Sequence, residues 1–197
     1  MRAEERLEAV RIAEAAGRAP KMVLFWGHRP ESNGRIGRWC FSQWWPAPFM
    51  IDDVRYPTAK HWMMAAKARL FEDTDGLATV MAARSPGAAK AAGRNVRGFD
   101  EQGWAAARYD IVVAGSVAKF TQHPDLAEFL LGTGDRILVE ASPVDRIWGI
   151  GLSATHPNAT HPGRWRGLNL LGFALMDARE QLRASLTAGD ATRRTAR

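Results

Sequence analysis

The sequence has 197 residues, a formal net charge of +6 and a single cysteine, Cys40. One cysteine excludes an internal disulfide, and the cysteine and histidines lack the spacing of a zinc site, so the sequence implies no metal and no cofactor. Met1 to Ala16 lacks the apolar region of a secretion signal, and no segment approaches the ~18 uncharged apolar residues of a membrane span. We therefore expect a soluble protein in the reducing environment of the cytoplasm, with no membrane partner.

Part of the positive charge lies at the C-terminal end, where Arg193, Arg194 and Arg197 fall within the last five residues. We expect this tail to be disordered, and the remaining positive charge suits either a phosphorylated small molecule or a nucleic-acid surface. A chain of this length fits one domain. We therefore predict an N-terminal helix at residues 1–20, a single domain at residues 21–186 and a disordered basic tail at residues 187–197.

Hydrophobic periodicity and the positions of glycine and proline predict a mainly α-helical domain with a few short strands, and an α+β fold is the alternative. In chain order the predicted elements are a helix at 3–16, strands at 22–26 and 49–51, helices at 57–70, 75–83, 86–93, 101–120 and 126–131, a strand at 137–140 and a helix at 170–186. Asp52 and Asp53 indicate a turn, and Pro57 suits the first position of the next helix. The glycines form neither a dinucleotide-binding motif nor a P-loop, which argues against a dinucleotide fold or an NTPase.

A glycine-containing segment follows the last predicted strand and carries Asp145, Trp148, Gly149 and Gly151. Aspartate and glycine are poor residues for the interior of a helix or strand, so we predict a tight irregular loop. Glycine lets backbone amides approach a ligand closely, and an indole beside a carboxylate suits a flat polar ligand. The alternative is a structural turn that buries a core tryptophan.

The helix predicted after Pro57 places Lys60, Met63, Met64 and Lys67 on one face. If that face is buried, desolvation lowers the pKa of a lysine there, and a neutral amine becomes available as a nucleophile. The alternative is a pair of lysines that cover the apolar face with their stems and keep their charged ends in water.

Three further groups of residues could contribute to a site. Glu140 and Asp145 could divide acid and base roles if their environments differ, although surface carboxylates are more common. Asn169 lies near a predicted helix start, where it could cap the helix or bind a ligand. Trp39, Trp44 and Trp45 lie in a region rich in glycine and proline, where they could line a pocket or form a small apolar cluster.

Several short motifs also occur in a distinctive order: Phe41-Ser42, Tyr56-Pro57-Thr58 with His61 and Lys67, Gly93-Arg94, Trp104, Lys119-Phe120, Glu140, Asp145 with Trp148-Gly149 and Gly151, and Gly167, Asn169, Leu171-Gly172, Leu175-Met176 and Arg179. Over residues 23–184 this order resembles the NADAR (NAD- and ADP-ribose-associated) or YbiA-like family. The resemblance implies a mainly α domain and N-glycosidase activity, which cleaves the bond between a ribose C1′ and a nitrogen. Implied substrates are ADP-ribose attached to guanine, including ADP-ribosylated DNA, and phosphoribosylamine intermediates of riboflavin biosynthesis.

The resemblance also implies roles for individual residues. Lys67 would attack C1′ and hold the opened sugar as a Schiff base, and Asp145 would position or deprotonate sugar hydroxyls. The other implied substrate-binding residues would stack on the base or sugar or hold ribose and phosphate oxygens: Phe25, Trp26, Ser42, His61, Arg94, Trp104, Lys119, Trp148, Gly149 and Asn169.

Lys60 departs from the family pattern, because the family usually has a glutamate at this position. An ammonium there reverses the local field, so either Lys60 lowers the pKa of Lys67 while Glu140 or Asp145 transfers the proton, or the chain binds its ligand without efficient turnover. Three hypotheses follow: an N-glycosidase, an ADP-ribose-binding protein without activity, and a basic nucleic-acid-binding domain. A steep loss of affinity for random DNA with rising salt would support the third.

Overall fold

The computed structural model describes residues 3–18, 20–30 and 35–195. The helices are α1 (Ala3–Ala15), α2 (Ala59–Leu70), α3 (Thr74–Met81), α4 (Pro86–Arg94), α5 (Glu101–Thr121), α6 (Pro124–Gly132) and α7 (Leu170–Thr195), and the strands are β1 (Met22–Phe25), β2 (Phe49–Ile51), β3 (Val54–Tyr56) and β4 (Ile137–Glu140). Short 3₁₀ turns span Arg38–Phe41 and Pro162–Arg164. The prediction of a mainly α fold with a few short strands is confirmed. In the described ranges, no helix has the length and apolar character needed to cross a bilayer.

The start of α2 differs from the prediction. Thr58 is the N-cap, with an extended backbone and a side chain that accepts a hydrogen bond from the amide of His61, so Pro57 precedes the helix rather than opening it. The residues before Pro57 form β3, which pairs antiparallel with β2. Asp52 and Asp53 both have positive φ, at 50° and 59°, which matches the two-residue turn that suits the twist of a hairpin. The predicted turn is confirmed, but the strand that follows it was not predicted.

The parallel pair of β1 and β4 brings the two halves of the chain together. Phe25 lies opposite Glu140 at the carboxyl ends of these strands. Helix α7 packs on β4 and along α5, and it contributes Phe173 and Leu175 to the buried core. Segments that leave the carboxyl ends of neighbouring parallel strands meet at one edge, which is where ligands bind in many open sheets. Here those segments begin with Trp26 and Ala141.

Helix α1 packs against α7 and the second 3₁₀ turn. Leu7 and Val10 are buried in the same hydrophobic core as the rest of the chain, and Arg6 forms a salt bridge with Asp177 of α7. Helix α7 continues to Thr195, beyond its predicted end at residue 186 and through most of the predicted tail. Residues 196–197 lie outside the described part, and the three-part division of the chain stays a prediction.

Candidate active site

Lys60 lies in the first turn of α2 and is only 7% exposed. Its backbone amide donates to the carbonyl of Gln43 at 2.9 Å. Its Nζ donates to the thioether of Met63 at 3.2 Å, which is a weak acceptor. Burial lowers the pKa of Lys60 to about 8; the carboxylates of Glu140 and Asp145 raise it in part and Lys90 lowers it further. The ammonium still predominates at neutral pH, but a neutral amine is far more accessible than for an exposed lysine.

Glu140 ends β4, and its backbone is held on both sides. Its amide donates to the side-chain oxygen of Asn169, and its carbonyl accepts from the amide of Ile150. Among the described residues, no group hydrogen-bonds to the buried Oε2 of Glu140. Burial raises the pKa of this carboxyl to about 7, with a further increase from Asp145 and opposing effects of Lys60 and Lys90. Glu140 can therefore donate a proton at neutral pH.

The loop after β4 has the tight irregular form that the sequence predicts. The Oδ1 atom of Asp145 accepts from the amides of Ile147 and Trp148 at 2.9 and 2.8 Å, and the carbonyl of Asp145 accepts from Gly151. A Cβ at Gly149 would lie 2.8 Å from the Glu140 carbonyl, so only glycine fits there. Trp148 is half-buried. Asp145 thus shapes the loop with one oxygen. Its charge raises the pKa of both Glu140 and Lys60.

Lys67 occupies a different environment two helical turns further along α2. Its Nζ donates to the carbonyl of Gly93 at 2.9 Å and lies 3.9 Å from the centre of the Phe99 ring and 5.7 Å from the Trp104 ring. Burial lowers its pKa, and Glu101 opposes that shift. Lys67 is 8% exposed, so both lysines are buried and the alternative of solvated lysine ends is wrong.

Several residues that were predicted to bind substrate remain accessible. Trp26 follows β1 directly and is 60% exposed. Arg94 is exposed at the end of α4, and Ser42 is half-buried, with its hydroxyl accepting from the amide of Trp44. Trp104, by contrast, is buried, with its ring 5.7 Å from the Nζ of Lys67. Of these, Trp26 lies at the same strand edge as Glu140, where an aromatic face can meet a base.

Four predicted substrate-binding residues are buried and make structural contacts with other parts of the chain, and their role in binding substrate stays a prediction. Phe25 is 3% exposed and packs edge-on against Phe41 in the core. His61 is 1% exposed, and its ring nitrogens pair with the Thr58 hydroxyl and the Ala83 carbonyl, which joins the start of α2 to the segment before α4. Neither side chain presents a surface to a ligand.

Lys119 and Asn169 are the other two. Lys119 is 2% exposed and donates to the carbonyls of Cys40 and Ser42, so it anchors the 3₁₀ turn before the aromatic segment. Asn169 is fully buried with a φ of 55°. Its side-chain amide donates to the Leu138 carbonyl and accepts from the Glu140 amide, which fixes β4 against α7. Through these contacts Lys119 and Asn169 fix the segments that surround the candidate site.

The structure also identifies residues that sequence reasoning missed. Lys90 of α4 acts electrostatically on both Lys60 and Glu140, but it lies in an alanine-rich helix that gives no local signal of this role. Gln43 is 6% exposed, and none of the described residues hydrogen-bonds to its Oε1. His28 stacks on Trp44 with ring centres 5.7 Å apart. Each of these features depends on tertiary contacts, which the local sequence does not reveal.

Cavity volume does not identify this site. A groove of about 650 Å³ lies between the β2–β3 hairpin, α2 and α5, and one of about 720 Å³ lies beside α6. Neither groove is lined by Lys60, Lys67, Glu140 or Asp145. In the ranges that the structure describes, no group of three or more His, Cys, Asp and Glu residues could hold a metal ion. The chemistry of the amine and the two carboxyl groups therefore defines the candidate site.

Comparison with known proteins gives consistent matches over most of the chain. The NADAR domain family matches residues 24–183. An N-glycosidase of Acanthamoeba polyphaga mimivirus is 40% identical over 166 residues, which cover 82% of this chain and 96% of that relative. An N-glycosidase of Nostoc punctiforme is 34% identical over 75% of this chain and 88% of its own length. The NMR structure of the Escherichia coli protein YbiA superimposes with a TM-score of 0.68 at 27% identity, covering 85% of this chain and 88% of that chain.

Proposed function

This chain belongs to the NADAR domain family, and from that premise we propose that it is an N-glycosidase acting on ADP-ribosylated guanine in nucleic acid or nucleotides. Relatives that are named N-glycosidases support the reaction class. The structural observation that carries the proposal is the electrostatic coupling of buried Lys60 of α2 and half-buried Asp145 with Glu140, which ends β4. These three residues combine an amine, a proton donor and a carboxylate, which are the groups that cleavage of a C1′–N bond needs.

The proton donor in the proposed reaction is Glu140. Breaking the C1′–N bond leaves an electron pair on the base nitrogen, and a carboxyl with a pKa of about 7 can protonate it at neutral pH. Asp145 keeps its second oxygen for the sugar hydroxyls, since its first oxygen is held by the loop amides. The exposed Trp26 and the half-buried Trp148 offer aromatic faces on which the base and the nucleotide half of the substrate can stack.

A lysine amine forms the covalent intermediate in this proposal, as an imine with the opened sugar. The family resemblance assigns this step to Lys67, whose burial agrees with the role. Lys60 is a second buried amine, and it is the one that faces the carboxyl groups.

ADP-ribosylated guanine is preferred over a phosphoribosylamine of riboflavin biosynthesis because the tryptophans can accommodate a purine and a second nucleotide. One observation favours a different function, which is binding of ADP-ribose without cleavage: Lys60 occupies the position where the family usually has a glutamate.

The test is incubation of the protein with DNA that carries ADP-ribosylated guanine and, separately, with the riboflavin-pathway phosphoribosylamine. We expect unmodified DNA and free ADP-ribose from the first substrate, measured by chromatography, and an inactive Glu140→Gln variant as the matched control. Release from the phosphoribosylamine alone would reassign the substrate. Binding of ADP-ribose without release from either substrate would overturn the proposed activity in favour of a binding protein.

A further inference from the structure

We propose that Lys60, rather than Lys67, forms the covalent bond to the sugar in this chain, and that Lys67 is an ammonium that fixes α2 against α4. The inference rests on the proposed N-glycosidase function and assigns its nucleophile. It follows from one requirement, because an amine can attack C1′ only when it is unprotonated and its lone pair is not engaged.

The surroundings of Lys60 lower its pKa and make the neutral amine accessible. The residue lies in the first turn of α2, where the backbone amides and the helix dipole disfavour a cation. Its side chain is buried, and the hydrogen-bond acceptor that it contacts is the weak thioether of Met63. Lys90, a second cation, acts on it from α4. Each of these features destabilises the ammonium relative to the neutral amine, and together they outweigh the opposing effect of Glu140 and Asp145.

The surroundings of Lys67 favour the ammonium. Its acceptor is the carbonyl of Gly93 in the last turn of α4, at the negative end of that helix dipole. Its Nζ also lies over the faces of Phe99 and Trp104, and aromatic faces attract a cation. Although burial lowers its pKa, a proton-bearing Lys67 makes every contact that the structure records for this nitrogen.

Lys60 and Lys67 also differ in the carboxyl groups that act on them. Glu140 and Asp145 both act electrostatically on Lys60, and none of the described residues satisfies the buried Oε2 of Glu140. The carboxylate that acts on Lys67 is Glu101, which is exposed to solvent. The nucleophile must reach C1′, and the acid must reach the leaving nitrogen that is bonded to C1′. Glu140 is such an acid, and it interacts electrostatically with Lys60.

The proposed steps balance in atoms and protons. The lone pair of Lys60 forms a bond to C1′, the C1′–N bond breaks, and the leaving base takes its proton from Glu140. The Glu140 carboxylate then removes a proton from the attached nitrogen and passes it to the ring oxygen as the ring opens to a protonated imine. Water adds to C1′ and gives a proton to Glu140. Collapse of this adduct returns the free amine and releases the sugar as an aldehyde, so the reaction consumes one water.

The experiment maps the covalent adduct in the unmodified protein. Incubation with ADP-ribose and cyanoborohydride reduces any imine that the product aldehyde forms with a lysine. Cleavage at arginine then releases residues 56–69 as one peptide that contains both lysines, and fragmentation between them locates the adduct. We expect a stoichiometric adduct on Lys60. Exposed Lys21 and half-buried Lys90 report non-specific labelling within the same sample.

An adduct on Lys67 with Lys60 unmodified would overturn this inference while leaving the proposed function intact. Release of ADP-ribose from modified DNA, measured in parallel, separates the two: turnover with no adduct on either lysine excludes the imine, and no turnover on either substrate rejects the function itself. Two matched variants complete the test. Lys67→Arg keeps a cation over the aromatic rings and should retain the Lys60 adduct, whereas Lys60→Arg should abolish labelling of the peptide, with folding of both checked by circular dichroism.

Discussion

At the scale of single residues, the account depends on two groups that titrate close to neutral pH. The active form needs a neutral Lys60 and a protonated Glu140, whose pKa values are about 8 and about 7. A lower pH protonates Lys60 and a higher pH deprotonates Glu140. The population of the active form is therefore greatest between the two pKa values. We predict a bell-shaped dependence of kcat on pH that peaks between about 7 and about 8. A rate that rises steadily to pH 10 would contradict the assignment of Glu140 as acid.

Replacing Lys90 tests the direction in which the pKa values of Lys60 and Glu140 shift. Its positive charge lowers the pKa of both Lys60 and Glu140, and Asp145 is the other charged group that acts on them. Removing the charge in Lys90→Ala should raise both pKa values and move the whole pH profile to higher pH. Exposed Lys21 precedes the opposite end of β1, so Lys21→Ala is the control and should leave the profile in place. An unchanged or acid-shifted profile in Lys90→Ala would show that Lys90 does not act on the site.

At the scale of elements, the loop after β4 depends on Gly149. A Cβ there would lie 2.8 Å from the Glu140 carbonyl and 2.9 Å from the Ser142 side chain. We predict that Gly149→Ala displaces the loop and lowers kcat by about 10²-fold or more, because Asp145 and Glu140 lose their geometry. At Gly132, which ends α6, an added Cβ would meet no atom within 4 Å outside the backbone of its own helix, so Gly132→Ala should keep full activity. Equal activity of the two variants, measured under the same conditions, would contradict this view of the loop.

The connection between β4 and α7 depends on Asn169. Its side-chain amide joins the Leu138 carbonyl to the Glu140 amide in a fully buried position. Asn169→Ala leaves both backbone groups unpaired, and each buried unpaired group costs about 1–3 kcal/mol. We therefore predict a decrease of about 2–6 kcal/mol in the free energy of unfolding, measured by urea denaturation. Leu168→Ala, at the more exposed neighbour, is the control, and similar losses in both variants would argue against the proposed connection.

At the scale of the whole molecule, local sequence signals predict the helices well and the site only in part. Capping residues and glycine or proline positions locate most helix ends, and the glycine loop with Asp145 has its predicted form. The sequence also places Lys60, Met63, Met64 and Lys67 on one helix face but leaves its burial open, and the structure shows that the face is buried. The predicted properties depend on neighbours in the chain, which is why a single sequence reveals them.

Properties that depend on distant contacts could not be predicted in this way. The conformation of β3 requires its hairpin partner, and the burial of His61 requires the segment before α4. The separation of the two lysines into unlike environments depends on Glu140 and Gly93, which belong to other elements. The order of the motifs predicts which residues belong to the site region. Only the tertiary structure distinguishes residues that are accessible to a ligand from buried residues that make structural contacts.

The most direct test of the central claim compares the unmodified protein with Lys60→Glu, which restores the residue that the family usually has. The measurement is release of ADP-ribose from DNA that carries ADP-ribosylated guanine, with binding of free ADP-ribose measured in the same samples. We expect the unmodified protein to turn over and Lys60→Glu to lose turnover, because the reacting amine is gone. An unmodified protein that binds but does not turn over, together with an active Lys60→Glu variant, would contradict it.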